Sequence, residues 1–337
     1  NVQPYFTIVS DASRVQAPVV FICVNTPAGP DGDLVLDDVK EAIEQVYRPD
    51  RTVVIASTLP VGGFAKIGLP GLVYNPLFIA LGNAVWNMTN AELLLVGCRD
   101  RKLAEPVLNI WVKVMSPHTP KVHVVSPEEA EVIKLALNVY LTMKVSLSSM
   151  LLQVCEASNM NIDTVLDGLL CDSRVDHNYF GAGIGYSGAC FPKDLAAFHH
   201  FLTSQGHRSL AKFTNGIRSV NEHVDVTLKK AVEEMAIKDL PVSILGLAYK
   251  PRVPYVEESK GVKLAAALAN SFEVRTWDPL ATVHVPGTHM CQSMMECLKG
   301  SGLAVVTLRW PGFSMAPWFM MSRPAVLDCW GVVKRTK

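Results

Sequence analysis

The 337-residue sequence is short of charge: only 18% of its residues are Asp, Glu, Lys or Arg, and 31 basic side chains balance 31 acidic ones. With no run of five or six basic residues, it lacks the electrostatic footprint of a protein that binds nucleic acid or an anionic membrane face. Its eight cysteines include no C-x-x-C pair and no close Cys/His cluster. Neither a disulfide framework nor a metal site is expected, and a reducing, cytoplasmic setting fits. Unbroken apolar runs such as Leu93 to Gly97 fall well short of the roughly 18 residues a membrane span needs. No basic segment followed by an apolar one opens the chain, so no secretory signal is read. Tandem repeats and low-complexity tracts are also missing. What remains is a chain that is 49% apolar with zero net charge, enough to fill two or three domain cores. Zero charge gives little colloidal protection, which suits an oligomer.

The first third alternates apolar runs with helical segments, the pattern of βα units on a parallel sheet. Val19 to Val24, Thr52 to Ala56 and Leu93 to Gly97 are predicted strands, and Val39 to Val46 a helix. The first two strands end at Thr26 and at Ser57-Thr58, where an open parallel sheet binds its ligand. The plainer alternative is that polar residues simply end strands. Pro127, two acids and a helical spacing of apolar residues predict one helix to about Ser158. Such a helix would bridge domains or build a dimer, with Met143, Leu147, Met150 and Leu151 as interface candidates. Lys134 and Asn138 share one of its faces, a pair that could equally be a solvated edge.

Residues 179–194 read Y-F-G-A-G-I-G-Y-S-G-A-C-F-P-K-D. Four glycines in eight residues allow a loop backbone to pass close to a ligand and offer N–H groups to anionic oxygens. Cys190, with Lys193 nearby, has the surroundings of a nucleophilic thiolate, although many cysteines are inert packing. The last third starts a second βαβ domain. Strands are predicted at Val242 to Leu247, Glu273 to Trp277, Ala304 to Thr307 and Ala325 to Asp328, and a helix from Ser259 to Ala269.

Several segments, in order and over nearly the whole chain, resemble the UDP-glucose/GDP-mannose dehydrogenase family. They are Phe21 to Pro27, Ser57 to Val61, Asn75-Pro76 before Gly82, Lys134 to Asn138, Gly183 to Asp194, Val220 to His223, and Leu245 to Lys250. Cys-Phe-Pro-Lys-Asp at 190–194 is most similar to the UDP-glucose 6-dehydrogenase branch. The resemblance implies an α/β chain of two Rossmann-like parallel-sheet domains joined by a long central helix. Its parts would be an NAD-binding domain over 1–126, a central dimerisation domain with the cysteine loop over 127–238, and a UDP-sugar-binding domain over 239–337. It implies oxidation of a sugar C6 alcohol to a carboxylate with NAD, through a thioester on Cys190, in a cytoplasmic homodimer of the kind that feeds polysaccharide biosynthesis.

By the same resemblance, Lys134 stabilises the oxyanion with Asn138 holding it, and Asp194 with Thr58 positions a water. Tyr179, Phe180, Gly183 and Gly185 form the loop against the nucleotide, and Tyr249 and Lys250 also contact the substrate. Thr26, Ser57, Thr58 and Lys193 contact NAD. The chain departs from the family pattern in several places. No strand-G-x-G-x-x-G turn is present, and Tyr5 to Asp11 resembles the family's third strand region, so the first sheet is expected to lack its initial βαβ unit. Leu77 and Leu81 stand where the family has glutamates. Glu257-Glu258-Ser259 replaces Arg-Glu-Ser, and Asp328-Cys329-Trp330 replaces Asp-Gly-Arg. The alternative expectation is therefore a catalytically impaired relative that binds nucleotide sugar or a protein partner.

Overall fold

The computed structural model describes residues 6–333, which form two compact units: residues 6–138 with 193–211, and 139–192 with 212–333. The first unit runs β1 (Val19–Ile22), α1 (Asp37–Val46), β2 (Thr52–Ile55), α2 (Gly63–Ile67), β3 (Leu72–Tyr74), α3 (Ala84–Thr89), β4 (Leu93–Gly97), α4 (Ala104–Met115) and β5 (Lys121–Val125). Its sheet has the order β1-β2-β3-β4-β5, parallel except where β3 meets β4 antiparallel at the single pair Tyr74–Gly97. Both faces are covered, which is why its strands read as continuous apolar runs. Val53, Ile55, Leu72 and Tyr74 pack under α1 and α2, while Val54, Val73, Leu94 and Val96 pack under Trp111 and Met115 of α4. Successive side chains of β2 therefore enter opposite cores, as the two-residue period of a strand requires.

Residues 6–9 form no strand, contrary to their resemblance to one, and Tyr5 lies outside the described residues. Phe6 and Ile8 are exposed.

Helix α5 (Pro127–Ala157) follows, 31 residues long, or about 46 Å. A reciprocal capping box starts it. Ser126 Oγ accepts from Glu129 N at 3.3 Å, and Glu129 Oε2 accepts from Ser126 N at 2.8 Å, so two otherwise unpaired donors are satisfied. These bonds hold the Glu129 carboxyl below its ordinary range. By length and composition α5 is also the one helix among the described residues that could cross a membrane. Counting unbroken apolar runs misses it, because Glu131, Lys134 and Lys144 interrupt them.

The second unit continues with α6 (Ile162–Leu170), α7 (Cys190–Ser204), α8 (Arg208–Met235), β6 (Val242–Leu245), α9 (Lys260–Leu268), β7 (Val274–Trp277), β8 (Thr288–Met290), α10 (Met294–Leu298), β9 (Leu303–Val306) and β10 (Val326–Asp328). The residues of α7 from Lys193 onward, and the start of α8, belong to the first unit. The second sheet, β10-β9-β6-β7-β8, is parallel throughout. Strand order reverses between β6 and β9, the switch point beside which such sheets bind ligands. Asp278, buried after β7, fixes the turn out of β6: one of its oxygens accepts from Leu247 N at 2.7 Å and Ala248 N at 2.8 Å. Tyr249 and Lys250 follow directly.

Candidate active site

In the first unit, α5 and α7 bring Lys134, Asn138 and Asp194 together. Asn138 Nδ2 donates to Asp194 Oδ2 at 2.5 Å, and both side chains are buried. The solvated-edge alternative therefore fails for Asn138. The other carboxylate oxygen of Asp194 forms an ion pair with Lys193 Nζ at 3.0 Å but accepts no aligned hydrogen bond. That oxygen keeps capacity for a water or a substrate hydroxyl. Lys134 Nζ donates to Leu77 O at 2.8 Å and lies 4.9 Å from the centre of the Phe78 ring. The residue in the family's glutamate position thus gives the lysine its carbonyl rather than a carboxylate. Leu81 is exposed. No hydrogen bond joins Thr58 to Asp194 among the described residues.

Thr26 and Ser57 are buried at the carboxyl ends of β1 and β2, and Thr58 is partly exposed beside them. Ser57 Oγ donates to Val24 O at 2.7 Å, tying the two strand ends together.

Sequence reasoning passed over Glu131, one turn before Lys134 on α5 and fully buried. Its two carboxylate oxygens accept from Gly62 N and Phe64 N, each at 2.6 Å, and so cap α2, the helix that leaves the Thr58 loop. Burial pushes this carboxyl up to about 7, against the pull of the two amides. An acid whose folded-state pKa lies above its unfolded value binds more protons folded than unfolded. Stability should therefore decline as pH rises from about 4.5 to about 7 and then level off. In Glu131→Gln that slope should disappear from a plot of urea midpoint against pH; an unchanged slope would assign it to another group.

In the second unit, the glycine loop is fastened on two sides. From α5, Ser148 Oγ donates to Gly181 O at 2.9 Å and Ser149 Oγ to Gly183 O at 3.3 Å. From α8, Asn221 accepts from Tyr186 N at 2.9 Å and donates to Tyr186 O at 3.2 Å. The helix serines were not singled out from sequence, although serine pairs disfavoured inside a helix are a usable signal. Gly185 and Gly188 have φ of +82° and +85°. A Cβ on Gly188 would lie 2.7 Å from the Tyr249 ring, so the loop and the segment after β6 are in direct contact. Gly188 N donates to Glu257 O at 3.1 Å, and Ser187 Oγ to Tyr249 O at 3.3 Å. Trp330, in the family's arginine position, presses its ring on Gly183 and donates Nε1–H to Thr307 O at 3.0 Å.

Cys190 is exposed at the start of α7, a 15-residue helix. It interacts electrostatically with Tyr249 and Lys250. Burial holds the Lys250 ammonium below its ordinary range, the thiol opposing that shift; burial pushes the Tyr249 hydroxyl up to about 12. In the second unit the cation facing the thiol is thus Lys250, while the sequence neighbour Lys193 pairs with Asp194. Phe191 stacks edge-on with Tyr179 and Tyr186, at 6.0 and 6.4 Å between ring centres. Tyr179 is half exposed at φ +59°, whereas Phe180 is buried.

Three profiles of one family match the chain. Residues 5–115 match the NAD binding domain, 128–223 the central domain and 243–335 the UDP binding domain of the UDP-glucose/GDP-mannose dehydrogenase family. The chain is 26% identical over 340 aligned positions to UDP-glucose 6-dehydrogenase YwqF of Bacillus subtilis, covering 93% of this chain and 76% of that one. It is 27% identical to a UDP-glucose 6-dehydrogenase of Pseudomonas aeruginosa, covering 91% and 74%. Among solved structures it is similar to a UDP-glucose dehydrogenase from Pyrobaculum islandicum, with TM-score 0.86 and 26% identity over 96% of this chain and 79% of that one.

Proposed function

The chain belongs to the UDP-glucose/GDP-mannose dehydrogenase family, and from that premise we propose that it oxidises the C6 alcohol of a UDP-sugar, UDP-glucose foremost, to the carboxylate with NAD. The observation that carries this reading is Cys190, exposed at the head of α7 with a desolvated Lys250 facing it, one helical turn before Asp194. The hydroxyl side chains Thr26, Ser57 and Thr58, at the carboxyl ends of adjacent parallel strands, fit the nicotinamide half of a dinucleotide. When bound there, NAD⁺ would supply the hydride acceptor, one molecule for each of the two oxidations.

Asp194, through a water, takes the proton of the C6 hydroxyl as hydride leaves, giving the aldehyde. The Cys190 thiolate adds to that carbonyl, and Lys134 balances the charge that forms on its oxygen. Loss of a second hydride, to a second NAD⁺, would turn the carbon–sulfur adduct on Cys190 into a thioester, which water hydrolyses, releasing the acid and the thiolate. Asn138 holds Asp194 in orientation throughout. Tyr179 and the glycine loop cover the nucleotide, joined by Phe180, Tyr249 and Lys250, and Lys193 completes the cofactor contacts.

The three-part division at 1–126, 127–238 and 239–337 is part of this proposal, supported by the bounds of the three profiles. So is a homodimer through α5, where Tyr140, Leu147, Met150 and Val154 form an exposed apolar stripe. Met143 and Leu151 are partly buried beside it. A cytoplasmic setting agrees with eight free cysteines.

Purified protein given UDP-glucose and NAD⁺ should produce two NADH per uronate formed. A second reading is favoured by Leu77, Glu257 and Trp330, which remove charges the family uses. It is a dimeric nucleotide-sugar-binding or interaction module without turnover. UDP-glucose binding by calorimetry with no NADH above a Cys190→Ala control would transfer the assignment to it.

A further inference from the structure

At the β8 edge of the second sheet, three side chains with metal-binding atoms, His289, Cys291 and Glu296, converge from two elements, and a fourth, Cys297, touches Cys291. His289 lies within β8 and Cys291 just after it, while Glu296 and Cys297 lie on α10. One ligand atom each from His289, Cys291 and Glu296 lie within 4.8 Å of one another. The thiols of Cys291 and Cys297 are in hydrogen-bonding contact, and both residues are buried. Glu296 and the end of α10 are held from behind. Glu296 Oε2 accepts from Gln292 N at 2.7 Å, leaving Oε1 toward His289 Nε2 at 3.2 Å. Ser243 Oγ, from β6, donates to Cys297 O at 2.5 Å and fixes the end of α10 against the sheet.

We propose that His289, Cys291 and Glu296, joined by Cys297 through its contact with Cys291, form a binding site for a zinc-class divalent ion. Two thiolates, an imidazole and a carboxylate are the donor set of a closed tetrahedral zinc centre. Magnesium and calcium call for oxygen donors, so the set selects against them. Coordination replaces the His289–Glu296 contact and the thiol–thiol contact with four metal bonds, each thiol giving its proton to solvent. The Gln292 amide on Glu296 supplies the outer support such ligands need. The ion would pin the edge strand β8 to α10, a structural role separate from the chemistry at Cys190.

The proposed site would depart from the sequence expectation of no metal site. A search for C-x-x-C spacing passes over H-x-C-x-x-x-x-E-C, whose ligands become neighbours only when the strand end and the short helix fold back on each other.

Titrating reduced, metal-free protein with Co(II) tests it. The expected result is one equivalent bound, with a thiolate-to-cobalt charge-transfer band and the intense visible bands of a tetrahedral ion. Zn(II) should displace it and Mg(II) should not, and Zn(II) should raise the Tm. His289→Ala, at an exposed side chain whose loss should not unfold the chain, should weaken binding at least tenfold. Cys291→Ser should remove the charge-transfer band, while Cys190→Ala should leave it intact. Absence of the bands on folded reduced protein, or bands undiminished in both His289→Ala and Glu296→Gln, would overturn the proposal.

Discussion

Cys190→Ala should lower uronate formation from UDP-glucose by a factor on the order of 10³ or more while leaving the urea midpoint within the range of surface substitutions, about 0.5 kcal/mol. The two halves of this expectation come from the same observation: the side chain is exposed at a helix start, so it contributes to chemistry without contributing to a core. A buried, inert cysteine would give the opposite pair of results, a stability loss with activity tracking the folded fraction. Cys190→Ser separates nucleophilicity from shape, since its hydroxyl has nearly the volume of the thiol but no thiolate at neutral pH. It should be nearly as inactive as the alanine variant, and activity near wild type in either would end the thioester proposal. With Leu77 in the glutamate position, thioester hydrolysis is expected to be slow. Rapid mixing should then show a burst of NADH followed by a slower steady phase; a linear trace would place the slow step before the thioester.

Gly185→Ala should cost about 2–4 kcal/mol in stability and raise KM for UDP-glucose at least tenfold. Its φ is +82°, and a Cβ there would lie 2.2 Å from Asn221 Oδ1. The left-handed conformation accounts for about 1–2 kcal/mol. Displacing Asn221 loses its two bonds to Tyr186, each worth about 1 kcal/mol. Lys260, buried and paired with Asp225 at 2.6 Å, also donates to Asn221 O at 3.1 Å, so Asn221 has little freedom to withdraw. Gly181→Ala provides the contrast, since nothing lies within 4 Å of its Cβ position. Denaturant midpoints and KM values for both variants check this, and equal effects at the two glycines would show that the loop is not clamped through Asn221.

The fold was largely legible where burial on two faces imposed long apolar runs. β1, β2, β4, β6, β7, β9 and β10 fall within a residue or two of the predicted strands, and α5 runs to Ala157 against an expected end near Ser158. The missed strands explain themselves. β3 and β8 are three residues long, too short for a period to register, and β5 has an exposed first half that includes Lys121 and His123. Helices α4 and α8 show in the sequence only through their apolar spacing, with no glycine or cysteine motif to mark them. The antiparallel joint between β3 and β4 rests on one residue pair, and nothing local announces it.

For the site, sequence alone determined the residue types and their order: a thiol, a lysine, an amide, a carboxylate and a glycine loop, in a pattern that a resemblance could recognise. It also determined that Lys134 and Asn138 share a helix face, because helical spacing is a local property. Tertiary structure decided the partners: Asn138 on Asp194, Glu131 on the amides of α2, Lys250 and not Lys193 facing Cys190 within its unit, and His289 beside Glu296. The reason is physical. Spacing along a chain fixes geometry over a helical turn or a strand period. Burial, which sets hydrogen-bond demand and shifts protonation, depends on contacts between segments tens of residues apart. A lysine three residues from a thiol in sequence can therefore serve a carboxylate instead, and one sixty residues away can be the cation that interacts with the thiol.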